Sequence, residues 1–224
     1  MTSENQRNLI VGVNAATKFL FIFTKNIHTG QSEQKVLEYE SIENFFEHIS
    51  AISNMNQIKA IIFCTFEIAF MSCTEAYNFR LKCREFCQKN GIFCYLCGHN
   101  ELTAFTALSN TKTMVNEGEE VMVVYSTIGG AVMIYFLIRE KHYCRIFDIH
   151  VSMFPKILQE NFMHNCKPKK VVVMIDQFMN PAIENTKDLF KKYNPSLLIH
   201  NTYQETLKNE ASIEKLLHLM GVID

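Results

Sequence analysis

From Val121 to Ile138 the chain carries no charged side chain over eighteen residues. That is the lower limit for a helix that crosses a bilayer, so the run must either span a membrane or lie at the buried centre of a folded domain. Its own residues decide. Gly129-Gly130 sits in the middle, Ser126 and Thr127 come just before, a β-branched bias runs throughout, and Glu119, Glu120, Arg139, Glu140 and Lys141 close the ends. A Gly-Gly pair between two β-rich halves predicts a hairpin of two buried strands. Such a hairpin needs apolar partners, and the composition supplies them: 48% of the 224 residues are hydrophobic and 20% are charged. This balance excludes disorder of the chain as a whole. Lys+Arg is 22 and Asp+Glu is 23, for a net charge of -1. There is no positive excess to hold nucleic acid or a membrane surface, so neither is an expected partner.

Other apolar, β-rich runs predict strands at Leu9–Val13, Lys18–Thr24, Ile58–Phe63, Lys170–Ile175 and Leu197–His200, beside Val121–Tyr125 and Ala131–Ile138 of the hairpin. Helices are predicted over Ser41–Ser50, Thr74–Asn90 (with Gly91 as its stop), Glu101–Leu108, Pro181–Tyr193 and Ala211–Met220. Hairpins followed by strand–helix alternation predict an α/β fold with a mixed sheet. Leu9–Thr24 and Val121–Ile138 are both strand–turn–strand units, which suggests a duplication. Their turns, Asn14-Ala15-Ala16-Thr17 and Thr127-Ile128-Gly129-Gly130-Ala131, are small-residue turns whose backbone N–H groups can cradle a phosphate. Two such turns facing each other would grip a nucleotide.

The opening Met1–Asn8 is polar, with no apolar stretch leading to a small-residue cleavage site. The expected compartment is therefore the cytoplasm, where the eight cysteines stay reduced. Cys83, Cys87, Cys94 and Cys97, with His99 beside them, have a spacing that a zinc or thiol module could use. Against a metal site, Cys83 and Cys87 fall on the apolar stripe of Thr74–Asn90, and Cys94 and Cys97 lie on opposite faces of an extended segment. The reading preferred is buried thiols and no metal. The other histidines show no ligand spacing, and no Ser/His/Asp or paired-carboxylate pattern stands out.

The order of segments carries more information than any one of them. Ile61-Ile62-Phe63-Cys64 precedes the Thr74–Asn90 helix. Gly91-Ile92 and a short apolar stretch to Leu96 follow, then Asn100-Glu101-Leu102-Thr103-Ala104-Phe105-Thr106-Ala107-Leu108, then the Gly-Gly hairpin. This succession resembles the nucleotide-binding domain of the DnaK-type heat-shock chaperones, within the actin and sugar-kinase superfamily. There an Asn-Glu-Pro-Thr-Ala-Ala-Ala-Leu-Ala stretch precedes an Asp-Leu-Gly-Gly-Gly-Thr hairpin. Val11-Gly12-Val13-Asn14-Ala15-Ala16-Thr17 is similar to that family's first phosphate loop, Gly-Ile-Asp-Leu-Gly-Thr-Thr. Val171 to Pro181 stands where the family has a strand and its adenosine loop. The resemblance covers roughly 8–24, 58–140 and 168–193. It implies a reduced actin-like, ribonuclease-H-like ATPase fold of two lobes with mixed sheets, residues 1–115 and 116–224, the second with a shortened insertion near 150–169.

The departures from the family pattern point to lost chemistry. Asn14 stands where the family has its first-loop Asp and Thr127 where it has the second, and neither brings the charge that holds hydrated Mg²⁺. Ala131 and Val132 replace a Gly and a Thr, and Ile175 and Asp176 replace the adenosine-loop Gly pair. Glu101 corresponds to the family's catalytic glutamate, and Thr17, Gly129 and Gly130 are retained. Lys18 stands where the family has a hydroxyl and could offset phosphate charge. The resemblance thus makes Asn14, Thr17, Lys18, Thr127, Gly129 and Gly130 the nucleotide-binding candidates and Glu101 a vestigial catalytic residue. Phosphoryl transfer depends on metal-mediated charge neutralisation, so losing both acids costs orders of magnitude in rate. The expectation is a degenerate chaperone-type ATPase-domain protein. ATP binding and hydrolysis are weak or lost, Mg²⁺ is not bound in the usual way, and the chain acts by contacts with other proteins, chaperones or co-chaperones among them. Two alternatives stand beside it: a working chaperone-like ATPase using Glu101, Thr17 and Lys18, and the zinc or thiol module.

Overall fold

The computed structural model describes residues 7–15, 19–38, 45–52, 54–64, 70–126, 131–141, 143–153, 167–176, 188–200 and 205–222. The chain forms two compact units, one of Met1–Leu102 with Ser212–Asp224 and the other of Thr103–Ala211.

The first unit starts from an antiparallel hairpin of β1 (Leu9–Ala15) and β2 (Phe19–Asn26), to which β3 (Ser32–Glu38) adds antiparallel on the outside. The chain passes through α1 (Phe45–Ile52) and lays β4 (Ile58–Cys64) parallel to β1. It then passes through α2 (Cys73–Lys89) and lays β5 (Phe93–Cys97) parallel to β4. The result is one five-stranded sheet in the order β3-β2-β1-β4-β5. Parallel central strands are covered on both faces, which is why β4 reads as an almost unbroken apolar run. On one face Val11, Val13, Ile61 and Phe63 pack against Phe45 and Ile49 of α1 and against Phe79, Cys83 and Cys87 of α2. The Phe45 ring is central, with centroids 5.1 Å from Phe46, 5.9 Å from Phe63 and 5.4 Å from Phe79. On the other face an added Cβ at Gly12 would stand 3.7 Å from Ser212 Oγ, so α4 (Glu205–Leu219) lies close against β1 there.

Local signals set the ends of α2. Ser72 Oγ accepts the Glu75 N–H at the start. At the other end Gly91 takes φ +61°, its N–H bonds the Gln88 carbonyl at 3.1 Å, and the Ile92 N–H bonds the Cys87 carbonyl at 2.8 Å. This is a Schellman turn, which needs a left-handed residue at the Gly91 position and turns the chain back into β5.

The second unit repeats the plan. β6 (Glu120–Ser126) and β7 (Val132–Arg139) form the antiparallel hairpin, β8 (Cys144–Ser152) adds outside β7, and β9 (Lys170–Asp176) and β10 (Ser196–His200) extend in parallel from β6. The order, β10-β9-β6-β7-β8, is that of the first sheet read from the opposite side. The two strand–turn–strand units noted in the sequence thus sit in two five-stranded sheets of the same strand order. Val121, Val123, Tyr135 and Leu137 pack with Ala104 and Ala107 of α3 (His99–Asn110), while Met122, Val124, Ile134 and Ile175 pack with Phe190 on the other face. The uncharged run thus forms buried strands, and no described helix is long and apolar enough to cross a membrane.

Most expected elements are in place, with differences at the margins. β3 and β8 were not expected. The helix expected from Ser41 is described from Phe45, and the one expected from Ala211 begins at Glu205. Most of the helix expected over Pro181–Tyr193 lies outside the described residues, of which 188–190 are helical and Lys191–Tyr193 form a 3-10 turn. The sequence reading draws the lobe boundary between 115 and 116, whereas the compact units divide within α3 and return Ser212–Asp224 to the first unit. In the stretch expected to hold a shortened insertion, β8 runs to Ser152 and 154–166 lie outside the described residues.

Candidate functional site

Open α/β sheets gather ligand chemistry at the carboxyl ends of their parallel strands. In the first unit, register fixes which residues meet there. Asn14 of β1 stands opposite Cys64 of β4, and Cys64 stands opposite Cys97 of β5. Asn14 is 6% exposed, and both cysteines are buried. Tyr95, two residues before Cys97, shares its face of the sheet. Because α3 starts just after β5 ends, its first turn carries Glu101 to this edge. The Tyr95 hydroxyl donates to Glu101 Oε1. The Cys97 thiol donates to the Gly98 carbonyl at 3.6 Å and lies within hydrogen-bonding reach of Cys64 and Glu101.

The protonation states follow from these contacts. Burial pushes Tyr95 well above the ordinary tyrosine range, and the hydrogen bond and charge of Glu101 push it further. Tyr95 therefore remains a phenol that can donate. Cys97 is also held high, first by its hydrogen bond with Cys64, then by burial, then by Glu101. It remains a thiol.

Among the described residues, the donor set at this edge is thus a carboxamide, two thiols and one carboxylate already accepting from a phenol. Mg²⁺ wants hard oxygen ligands with carboxylate charge, and these residues do not fit it. The matching row of the second unit is Ser126, Ile175 and Ile199, again without an acid.

Of the residues singled out by sequence, Asn14 and Glu101 are brought to one edge of one sheet. Thr17, Lys18, Thr127, Gly129 and Gly130 fall in the β1–β2 and β6–β7 connections and lie outside the described residues. Ile175, which replaces the first glycine of the adenosine-loop pair, is a core residue packed with Val173 and Phe190. The zinc spacing does not close. Cys83 and Cys87 sit in the core with Cys94 packed against them, while Cys97 is turned to Cys64. Among the described residues no group of three or more His, Cys, Asp or Glu is placed to hold a metal ion. Sequence reasoning missed Tyr95 and Cys64 as site residues. The signal was the alternation Tyr95-Leu96-Cys97, which becomes readable once β5 is known to be a strand.

No protein-family profile matches the chain, and no curated protein sequence does. Solved structures do match. A ROK family protein from Streptococcus pneumoniae TIGR4, solved in complex with sucrose, superposes with a TM-score of 0.59 at 10% identity, over 96% of this chain and 100% of that one. A ROK family transcriptional regulator, a homolog of the E. coli MLC protein, gives a TM-score of 0.56 at 9% identity, over 96% and 80%. A Bacteroides thetaiotaomicron VPI-5482 protein with an actin-like ATPase fold gives 0.45 at 9% identity, over 97% and 98%. At such identities the likeness is one of fold. Strand order and likeness together define the class: the chain has the actin-like ATPase fold, with a ribonuclease-H-like sheet in each unit. None of these three structures is named as a DnaK-type chaperone, so the resemblance read from the sequence comes down to this shared fold.

Proposed function

We propose that this chain is a degenerate actin-like ATPase-domain protein, weak or inactive in nucleotide hydrolysis, which works in the cytoplasm by contacts with other proteins. The observation that carries the reading is Asn14, which occupies the end of β1 in line with Cys64 and Cys97. A metal-orienting acid would have to stand there, and a carboxamide brings no charge. Metal-mediated neutralisation contributes several kcal/mol to phosphoryl transfer, and each ~1.4 kcal/mol is tenfold in rate. Loss of that acid therefore costs roughly a hundredfold or more. Glu101 is a poor substitute, because its carboxylate is already engaged by the Tyr95 hydroxyl beside the Cys97 thiol.

ATP, where it binds, is held without help from Mg²⁺, by the small-residue turns that contain Thr17, Lys18, Thr127, Gly129 and Gly130. Chaperones or co-chaperones are the partners that the sequence resemblance points to. One ROK neighbour is named for transcriptional regulation, which agrees with this fold serving roles other than catalysis. The described cysteines are free thiols, in keeping with a reducing compartment.

The test is calorimetric titration of ATP with and without Mg²⁺, alongside a phosphate-release assay. The expected outcome is no Mg²⁺-dependent heat and no release above background, with Mg²⁺-dependent binding gained by the Asn14→Asp/Thr127→Asp variant. Mg²⁺-dependent turnover of the unaltered chain above background, abolished by Glu101→Gln, would overturn the reading.

A further inference from the structure

The Schellman turn at the end of α2 does more than stop a helix. By bonding the Ile92 N–H to the Cys87 carbonyl at 2.8 Å, it folds β5 back along the last turn of α2. Cys94 is thereby packed against the cluster that contains Cys83 and Cys87, and the Cys87 and Cys94 thiols become hydrogen-bonded neighbours. The two differ in access: Cys87 is buried, while Cys94 is half-buried. Arg84, one turn before Cys87 on α2, sets its positive charge near Cys94. A solvent-reachable thiol beside a cation, with a second thiol in contact behind it, has the layout of an attacking and a resolving cysteine.

We propose that Cys94 and Cys87 form an oxidisable pair that hydrogen peroxide converts to a disulfide joining α2 to β5. The order of events follows from the chemistry of the two sulfurs. Cys94 is held below the ordinary thiol range, first by the hydrogen bond from Cys87 and also by Arg84, against the opposing effect of burial. Cys87 is held high by the same hydrogen bond and keeps its proton. The Cys94 thiolate attacks a peroxide oxygen and breaks the O–O bond. The departing hydroxide takes a proton and leaves as water, and Cys94 becomes a sulfenic acid. The Cys87 sulfur then attacks the Cys94 sulfur and breaks its S–O bond, and the Cys87 proton leaves with the hydroxyl as a second water. Two thiols and one peroxide give one disulfide and two waters, and a dithiol reductant reverses the product. Cys64 and Cys97 are also hydrogen-bonded, but both are buried and Cys97 is held high, so that pair serves as an internal control.

The test uses the full reduced chain, exposed to one equivalent of hydrogen peroxide at neutral pH and then to N-ethylmaleimide. Trypsin separates Glu85–Lys89, which carries Cys87, from Asn90–Lys112, which carries Cys94 and Cys97. Chymotryptic cleavage after Tyr95 then separates Cys94 from Cys97. The expected product in most molecules is the peptide bearing Cys87 (Glu85–Lys89, or Cys87–Lys89 after cleavage at Phe86) linked to the fragment bearing Cys94, two hydrogens lighter than the reduced pair and lost on reduction. In Cys87→Ser the oxidised Cys94 is expected to persist as a sulfenic acid that dimedone captures. A link from Cys94 to Cys83 or Cys97, a link between Cys64 and Cys97 in its place, or full maleimide labelling of Cys94 after peroxide would each overturn the proposal. Mapping the unaltered chain decides the matter even if the variant fails to fold.

Discussion

Replacing Tyr95 by Phe removes one oxygen and leaves the ring in place, so it isolates the hydrogen bond to Glu101. A hydrogen bond to a charged acceptor contributes ~1.5–3 kcal/mol, and the half-buried setting of both side chains puts this one near the lower end, at about 1.5 kcal/mol. With a urea dependence of ~2 kcal/mol per molar, the midpoint should fall by roughly 0.7 M. Glu101→Gln keeps an acceptor but removes the charge, and should cost about half as much. The informative quantity is the coupling in the double-mutant cycle of Tyr95→Phe, Glu101→Gln and both together. Residues in contact give 0.5–3 kcal/mol, and about 1 kcal/mol is expected here. The cycle is read by urea unfolding followed by circular dichroism, with amide exchange in β5 as the local report. A coupling below ~0.3 kcal/mol would refute the hydrogen-bonded arrangement. It would also free Glu101 for the catalytic role that the family pattern gives it. In that case Glu101→Gln should spare stability and abolish turnover.

Two further outcomes follow from contacts in the first unit. Arg7 caps the turn after α2, donating to the carbonyls of Asn90 at 2.9 Å, Gly91, and Ile58 at 3.4 Å. Arg7→Ala should cost about 1–2 kcal/mol in urea unfolding, and Arg7→Lys should recover little because it lacks the planar fork; full recovery by Lys would show that charge alone suffices. Stability should also fall at alkaline pH. Cys83, Tyr95 and Tyr135 are held high chiefly by burial, and Cys87 and Cys97 chiefly by thiol–thiol hydrogen bonds. The folded chain thus keeps protons that the unfolded chain releases above ~8.5 for Cys and ~10 for Tyr. The stability is complete below those values and is lost as pH rises past them, while Cys94, which is held low, acts in the opposite sense. A urea midpoint at about pH 10 equal to that at pH 7 would contradict this.

What could be read from the sequence divides according to burial. β1, β4, β6, β7 and β9 are central strands whose apolar runs announce them. β3 and β8 are the outer strands of the two hairpin sides, and edges need not be apolar. In β3 the sequence SEQKVLE places Glu33, Lys35 and Gln34 in solvent, and in β8 Arg145 and Asp148 interrupt the pattern while a register shift opposite Phe136/Leu137 breaks its period. β10 is also an edge strand, yet Leu197-Leu198-Ile199 made it readable. The site was half-readable for a related reason. Asn14 and Glu101 are residues that a family pattern can mark, whereas the placing of Cys64 and Tyr95 beside them depends on strand register. Register is a tertiary property, set by how β4 and β5 slide until their apolar faces meet the helices. The thiol pair was obscured in the same way. Cys94 reads most naturally with Cys97 as Cys-x-x-Cys, but alternation along β5 sends them to opposite faces, and the turn at Gly91 brings Cys94 to Cys87.

On the reading proposed above, the physics of burial explains how a chain of this fold keeps its sheets with a carboxamide in place of an acid. Asn14 is 6% exposed, and at that depth an unpaired carboxylate is expensive because taking a charge out of water costs far more than taking out an amide. An acid at that position is tolerable when a bound cation repays the cost, and becomes a liability once the cation is no longer recruited. Asparagine keeps the shape and the hydrogen-bonding capacity without the charge. The sheet itself does not depend on that choice. One of its two buried faces, with Val11, Val13, Ile61 and Phe63 against the helices, lies away from the Asn14–Cys64–Cys97 row. Selection for a stable scaffold and selection for metal chemistry therefore act on different side chains of the same strands. On the proposed reading the first persists without the second.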